Sequence, residues 1–266
     1  MDNLAAAIRR QARGAKAERL SIEISRVRAL DARELAGRLD ALTPTACDCA
    51  VIVATEDAIL VQAVDAALRR GIAVMTLVSD LPGSARRHFI GIDNMAAGRT
   101  AAALLGRFCP AGGEVGVIAG SLGLRDHAER LEGFRAVIAA EFPALAIVGP
   151  YEGHDTRGET EGLANDLLRR HPGLVGLYNL GAGNEGLLVA LDASGRAGRL
   201  RVVAHEITDS TRAGLVSGAI DVVLDQNPDQ EIRAAIAAAR ALAQHAGGAP
   251  DHGRIEIGIF LRDNLR

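Results

Sequence analysis

From Cys49 onward the sequence alternates without a break between apolar runs of strand length and stretches of helical period, and few folds accept that pattern. The spacing predicts strands over residues 50–54, 72–77, 89–92, 114–119, 146–149, 174–178, 201–204 and 222–224, with helices filling most intervals. Strands separated by helices must pair in parallel through crossovers, so the fold class is α/β, with doubly wound parallel sheets and two of them. The core chemistry agrees, because 48% of residues are apolar and only 3% aromatic. Such a core is built from Ala, Leu, Val and Ile, which suits helices layered on buried parallel strands. Helix starts are marked locally, as at Asp31, where an Asp N-cap precedes Glu34 by three positions.

The beginning departs from this rhythm. Residues 1–16 read as an amphipathic helix with Leu4, Ile8 and Ala12 on one face, capped by Asp2 or Asn3. The alternating strand Leu20, Ile22, Ile24 comes only afterwards, whereas a doubly wound domain normally opens with a strand. The expectation is that an N-terminal segment precedes this sequence in a longer product. No Pro/Gly/Ser linker or internal repeat separates two independent halves.

Several function classes fall away on charge and composition. A net charge of -3, with no helix-turn-helix, zinc-finger spacing or basic arm, gives this sequence no means of binding DNA by itself. Cys47, Cys49 and Cys109 are odd in number and lack metal spacing, so they read as reduced thiols of a cytosolic protein. No apolar run reaches the roughly 20 residues of a membrane span, and no export signal opens the sequence, so the expected location is the cytoplasm. No cofactor and no metal are expected.

Three motifs carry possible chemistry. Gly181, Gly183 and Gly186 form a G-x-G-x-x-G that follows a predicted strand, opens a helix and precedes Glu206 by 20 residues, as in a dinucleotide site. Against this, the motif lies deep in the chain, and a sugar dehydrogenase would need a catalytic Lys, while the only lysine is Lys16. Residues 119–123, Ala-Gly-Ser-Leu-Gly, resemble a nucleophile elbow at Ser121, but His205 precedes the acid Glu206 where the usual order is reversed. In residues 125–130, Asp126 reads as an N-cap, Glu129 completes a capping box and His127 is solvated. No catalytic residue is therefore assigned. What remains is a set of polar side chains at the carboxyl ends of strands: Ser79, Asp80, Asp93, Asn94, His154, Asp155, Asn179, His205, Glu206 and Gln226. Carboxyl ends of open parallel sheets border ligand crevices, and planar carboxylate, amide and guanidinium groups suit the hydroxyls of a sugar.

Five blocks then occur in a familiar order: residues 90–94 with Ala97 and Gly98, residues 129–134, 178–183, 205–208 and 225–228. Together they resemble the effector domain of LacI-family transcriptional regulators, which is similar to the periplasmic ribose-binding proteins. The resemblance covers almost the whole chain from about residue 30. It implies a type I periplasmic-binding-protein fold of two lobes joined by three crossovers, closing on a small carbohydrate. The N-terminal lobe would hold residues 1–92 plus 227–254, and the C-terminal lobe 93–226 plus 255–266. The family's sugar contacts fall on Ser79, Asp80, Arg130, His154, Asn179, Glu206 and Gln226. Glu206 stands where ribose binders usually carry Asp, which implies a sugar seated slightly farther from that strand or one of different stereochemistry. The DNA-binding headpiece and the first strand of the N-terminal lobe are missing from the pattern, and loss of a central strand would leave two unpaired edges, so that such a chain is expected to be poorly stable or to borrow a strand.

The expected function is the sugar-effector domain of a LacI-type regulator, a cytoplasmic homodimer that contacts DNA only through a headpiece outside this sequence, and that shifts between open and closed lobes on binding sugar. It is not an enzyme. The first alternative is the solute-binding protein of a sugar ABC transporter. The second is an NAD-dependent sugar oxidoreductase built on Gly181, Gly183 and Gly186. Replacing Arg130 by Ala is expected to abolish the response to sugar while leaving the fold intact.

Overall fold

The computed structural model describes residues 2–15, 20–28, 30–244 and 255–265. They form two compact units. The first draws on Met1–Ile92, Gly123–Arg125 and Asn227–Glu256, and the second on Asp93–Leu122, Asp126–Gln226 and Ile257–Arg266. Met1, Lys16 and residues 245–254, which figure in the sequence-based helix and lobe boundaries, lie outside the described residues.

The first unit holds a parallel sheet of β1 (Cys49–Ile52), β2 (Ala73–Leu77) and β3 (His88–Ile90), side by side in chain order. Helices α2 (Ala32–Asp40) and α3 (Ala58–Arg69) start where Asp31 and Asp57 accept the amides of Glu34 and Ile59. Their apolar stripes bury Leu39, Leu60 and Val64 against Ala50, Ile52 and Val74. Helix α1 (Asp2–Ala15) packs on the last long helix of the chain, α9 (Pro228–Ala243), and Arg10 pairs with Asp229 at 3.0 Å. Helix α9 in turn packs against all three strands.

The second unit is larger. Its sheet contains β4 (Gly113–Ala119), β5 (Leu145–Glu152), β6 (Leu174–Asn179), β7 (Arg201–His205), β8 (Val222–Asp225) and β9 (Gly258–Phe260), in the order β5-β4-β6-β7-β8-β9. All pair in parallel except β9, which runs antiparallel to β8. Alternate strand residues serve opposite faces, as the two-residue period of a strand requires. Val115, Val117, Tyr178, Val203 and Leu224 pack with α4 (Asn94–Phe108) and α5 (Arg125–Glu141) through Leu105, Phe134 and Ile138. Ile118, Leu177, Val202 and Val223 meet α6 (Arg157–Arg170), α7 (Asn184–Ala193) and α8 (Asp209–Ser217) through Leu167, Leu187 and Leu215.

All eight strands predicted from Cys49 onward are present, with every end within three residues of its expected place. The predicted strand at Leu20, Ile22 and Ile24 does not form: among the described residues, 20–28 join no ladder. A segment with strand periodicity gains nothing from it unless it takes up hydrogen bonds with a neighbour, and among the described residues β1 is paired only with β2. Strand β9 was missed because it is three residues long and opens on Gly258. Strand β5 runs past Gly149 through Pro150, which a sheet-edge position tolerates.

Candidate functional site

Strand order in the second unit reverses at β4, whose neighbours are β5 on one side and β6 on the other. Carboxyl ends flanking such a reversal diverge and leave room for a ligand. Three residues singled out from the sequence meet here. Arg130, 1% exposed on α5, donates from Nη2 to Gln226 Oε1 at 2.9 Å, and Gln226 Nε2 donates to Glu206 Oε1 at 3.2 Å. The guanidinium also donates from Nε to Asn94 Oδ1 at 2.9 Å and from Nη1 to the Leu180 carbonyl at 2.8 Å. This row of polar groups joins the start of α4, α5 and the ends of β6, β7 and β8. Glu206 holds φ at 68°, a left-handed value costly for a side chain with Cβ, and such strain persists where surrounding structure imposes it.

Asp126 belongs to this cluster and was misread from the sequence. It lies inside the first turn of α5, 3% exposed, with Oδ2 at 3.6 Å from Arg130 Nη2 and 3.7 Å from His127 Nε2. Its Oδ1 finds no hydrogen-bond partner among the described residues. His127 is likewise buried, 4% exposed, and takes the Ser121 amide on Nδ1 at 3.1 Å instead of facing solvent. The capping pattern misled because helix α5 begins at Arg125, two residues before the start that an Asp126 cap implies, which carries Asp126 and His127 inward. The signal that could have found them was the four-residue spacing from Asp126 to Arg130, which places both on one helix face.

Asn179 is buried at the end of β6, where its Nδ2 donates to the Ala182 carbonyl at 3.0 Å and to Asn184 Oδ1 at 2.8 Å. Asn184 passes the link on to the His205 carbonyl at 3.0 Å. Asn179 thus shapes the turn into α7, while its Oδ1 has no hydrogen-bond partner among the described residues. Behind the row, Tyr178 Oη and His205 Nε2 lie 2.9 Å apart and Phe134 stacks on Tyr178 at 4.8 Å. Burial, then the charges of Arg130 and His127, hold His205 well below the usual imidazole range, and burial raises the Tyr178 phenol. Both rings are neutral packing groups.

His154 stands apart from this row. It sits in the loop after β5 at φ 47°, half exposed, with Nδ1 at 2.6 Å from Glu159 Oε2, a partner that raises its pKa. Ser79 and Asp80 belong to the first unit, at the end of β2. The Ser79 hydroxyl, buried, accepts the Arg125 amide at 3.0 Å. Asp80 accepts from Arg86 through both oxygens, from the Thr76 hydroxyl at 2.7 Å and from the Leu81 amide at 2.8 Å. Burial raises its pKa, but these donors outweigh it and hold the carboxyl below its ordinary range.

The glycine motif has a packing role at every position. A Cβ on Gly181 would lie 2.6 Å from both Asp155 Oδ1 and the Gly120 amide nitrogen, and one on Gly186 only 2.0 Å from the Arg157 carbonyl. Gly183 has φ 81° and abuts Thr160. These glycines let α7 and its turn press on α6 and β4, so each is spent on protein contacts rather than on a pyrophosphate. A groove of about 520 Å³ along α5, lined by Leu122, Ala128, Leu131 and Glu132, contains none of the predicted ligand residues and is mainly apolar, so the site is placed by its chemistry instead.

A switch point bordered by a row of planar hydrogen-bonding groups, on parallel α/β units, has the form of a binding site for a small polar ligand. The model of the periplasmic binding protein domain matches residues 10–248, and the chain belongs to that family. A D-ribose/D-allose-binding protein of Pseudomonas aeruginosa is 27% identical over 227 residues, which span 80% of this chain and 69% of that protein. A glucose-galactose binding protein of Geobacillus stearothermophilus superposes with a TM-score of 0.89 at 21% identity, over 99% of this chain and 94% of that one. An ABC transporter solute-binding protein of Burkholderia graminis, in complex with D-arabinose, reaches 0.83 at 26% identity, over 88% and 82%. The type I periplasmic-binding-protein fold expected from the sequence is therefore present. These relatives are sugar- and solute-binding proteins, and they give the regulator assignment no support.

Proposed function

We propose that this chain binds a monosaccharide at the carboxyl edge of its second sheet, with Arg130, Glu206, Gln226, Asn179 and Asp126 supplying the hydrogen bonds. The observation that carries the reading is the Arg130–Gln226–Glu206 row, buried at Arg130 and Gln226, with Asp126 Oδ1 and Asn179 Oδ1 lacking a hydrogen-bond partner among the described residues. Buried acceptors without donors are costly, and ligand hydroxyls are donors of the right kind. The sugar- and solute-binding relatives support the same chemistry, with aldoses such as ribose, allose and arabinose as first candidates. His154 is proposed as a further contact, for which its present partner Glu159 would have to exchange for a sugar hydroxyl.

In the cell, this reading makes the chain the solute-binding component of a sugar uptake system, as the Burkholderia graminis protein is the solute-binding protein of an ABC transporter. A second reading, a sugar-responsive cytoplasmic regulator acting as a homodimer, is favoured by the five ordered sequence blocks. Flanking genes discriminate the two: a permease and ATPase support uptake, and a helix-turn-helix encoded in frame upstream supports regulation. Binding itself is tested by thermal shift with a panel of aldoses and NAD. A ligand at 100 times its Kd stabilises by about 2.7 kcal/mol. Stabilisation by NAD and by no sugar would overturn the proposal.

A further inference from the structure

We infer that the sugar taken by this site carries a protonated amino group, whose ammonium donates to Asp126 Oδ1 while Glu206 contributes a second negative charge. The inference rests on the binding reading above and narrows its ligand class. Two carboxylates stand along the row against one guanidinium. Asp126, 3% exposed, has Oδ2 at 3.6 Å from Arg130 Nη2, which also bonds to Gln226 Oε1 at 2.9 Å. Glu206 is linked to the same guanidinium only through the Gln226 amide, at 3.2 Å, and makes no ion pair of its own among the described residues. The nearby imidazoles leave the balance as it is. His127 takes the Ser121 amide on Nδ1 at 3.1 Å, and His205 is buried and neutral beside the Tyr178 hydroxyl.

A neutral sugar offers only hydroxyls, which solvate a carboxylate without cancelling its charge. An ammonium cancels the charge and makes charge-assisted hydrogen bonds, which are roughly twice as strong as neutral ones. Asp126 Oδ1 is the atom that receives it, being buried and without a hydrogen-bond partner among the described residues. Among the described residues no three metal-ligating side chains converge, so the charge calls for an organic cation. The rest of the row calls for a sugar around that cation. Asn179 Oδ1, which also lacks a hydrogen-bond partner among the described residues, belongs to a neutral amide. It is matched by a hydroxyl, a donor that a plain diamine does not carry.

The test is calorimetric titration of the full chain at about pH 6.5, below the range in which α-amino groups lose their proton. The probes are glucosamine, galactosamine and mannosamine, each beside its neutral parent hexose, together with ribose, allose and arabinose, and putrescine as an amine without hydroxyls. At least one amino sugar is expected to bind about tenfold or more tighter than its parent and than the pentoses, the worth of a charge-assisted over a neutral hydrogen bond. That ratio is expected to fall about tenfold in Asp126→Asn and by a smaller factor in Glu206→Gln, with circular dichroism as the folding control. Should Asp126→Asn not fold, the ratio in Glu206→Gln decides. Neutral sugars bound as tightly as the amino sugars overturn the inference and leave the binding reading standing, whereas binding of no sugar of either kind overturns both. Putrescine bound as tightly as the amino sugars, or a ratio unchanged in the folded variants, also overturns the inference.

Discussion

Arg130→Met is the substitution whose cost the structure fixes most closely. The methionine keeps the apolar stem but deletes the guanidinium, which strands Asn94 Oδ1, Gln226 Oε1 and the Leu180 carbonyl and leaves Asp126 without its cation in a site 1–3% exposed. Breaking a buried ion pair from one side costs about 3–5 kcal/mol, chiefly through the charge left behind. Since each kcal/mol lowers Tm by about 2–4 °C in a domain of this size, the expected loss is roughly 6–20 °C. If the stranded carboxylate dominates, Arg130→Met with Asp126→Leu recovers most of it, with a coupling of at least about 2 kcal/mol. Urea denaturation of the four proteins measures both quantities. A single-variant cost under about 1 kcal/mol would refute the reasoning. The expectation that Arg130→Ala spares the fold thus gives way, and ligand assays on it need a folding control.

His205, buried and neutral, takes up a proton in the unfolded chain below about 6.5 but not in the folded one, so stability is complete above that pH and falls as pH drops, by up to about 1.4 kcal/mol per unit. His205→Phe should flatten this decline between about pH 6 and 4 in acid denaturation, before carboxylates such as Asp80 contribute. Gly98→Ala puts a Cβ 1.9 Å from the Arg130 carbonyl, between α4 and α5, and should cost about 3 kcal/mol or more by urea denaturation. Burial, then neighbouring Cys47 and Asp48, push the Cys49 thiol up to about 12, so a thiol reagent at pH 8 should label it only after denaturant is added.

Much of this was legible because the strands of an α/β fold are fully buried and announce themselves as unbroken apolar runs. Val115 to Ala119 or Val202 to Ala204 can be nothing else in a chain so poor in aromatics. Elements that depend on a neighbour were not legible in the same way: Leu20, Ile22 and Ile24 have the pattern of a strand and lack the partner, while Gly258–Phe260 has the partner and little pattern. In the site, Arg130, Glu206 and Gln226 came from the sequence blocks and meet in space. Asp126 and His127 were hidden by their resemblance to a capping box, which reads the same whether a helix starts in solvent or in the interior. The G-x-G-x-x-G motif shows the converse, since a glycine required by a close helix and one required by a phosphate leave the same letter.

The row from Asn94 through Arg130 and Gln226 to Glu206 satisfies itself when nothing is bound. Any sugar that inserts a hydroxyl between Gln226 and its neighbours performs an exchange, giving up one good hydrogen bond for another, and gains little enthalpy from that step. Discrimination between epimers then rests on the groups without a resident partner, Asp126 Oδ1 and Asn179 Oδ1, where a hydroxyl on the correct face adds a bond and one on the wrong face leaves an acceptor desolvated. Affinity and selectivity would thus reside on different atoms of the same few side chains, and removing single hydroxyls from a sugar would separate the two.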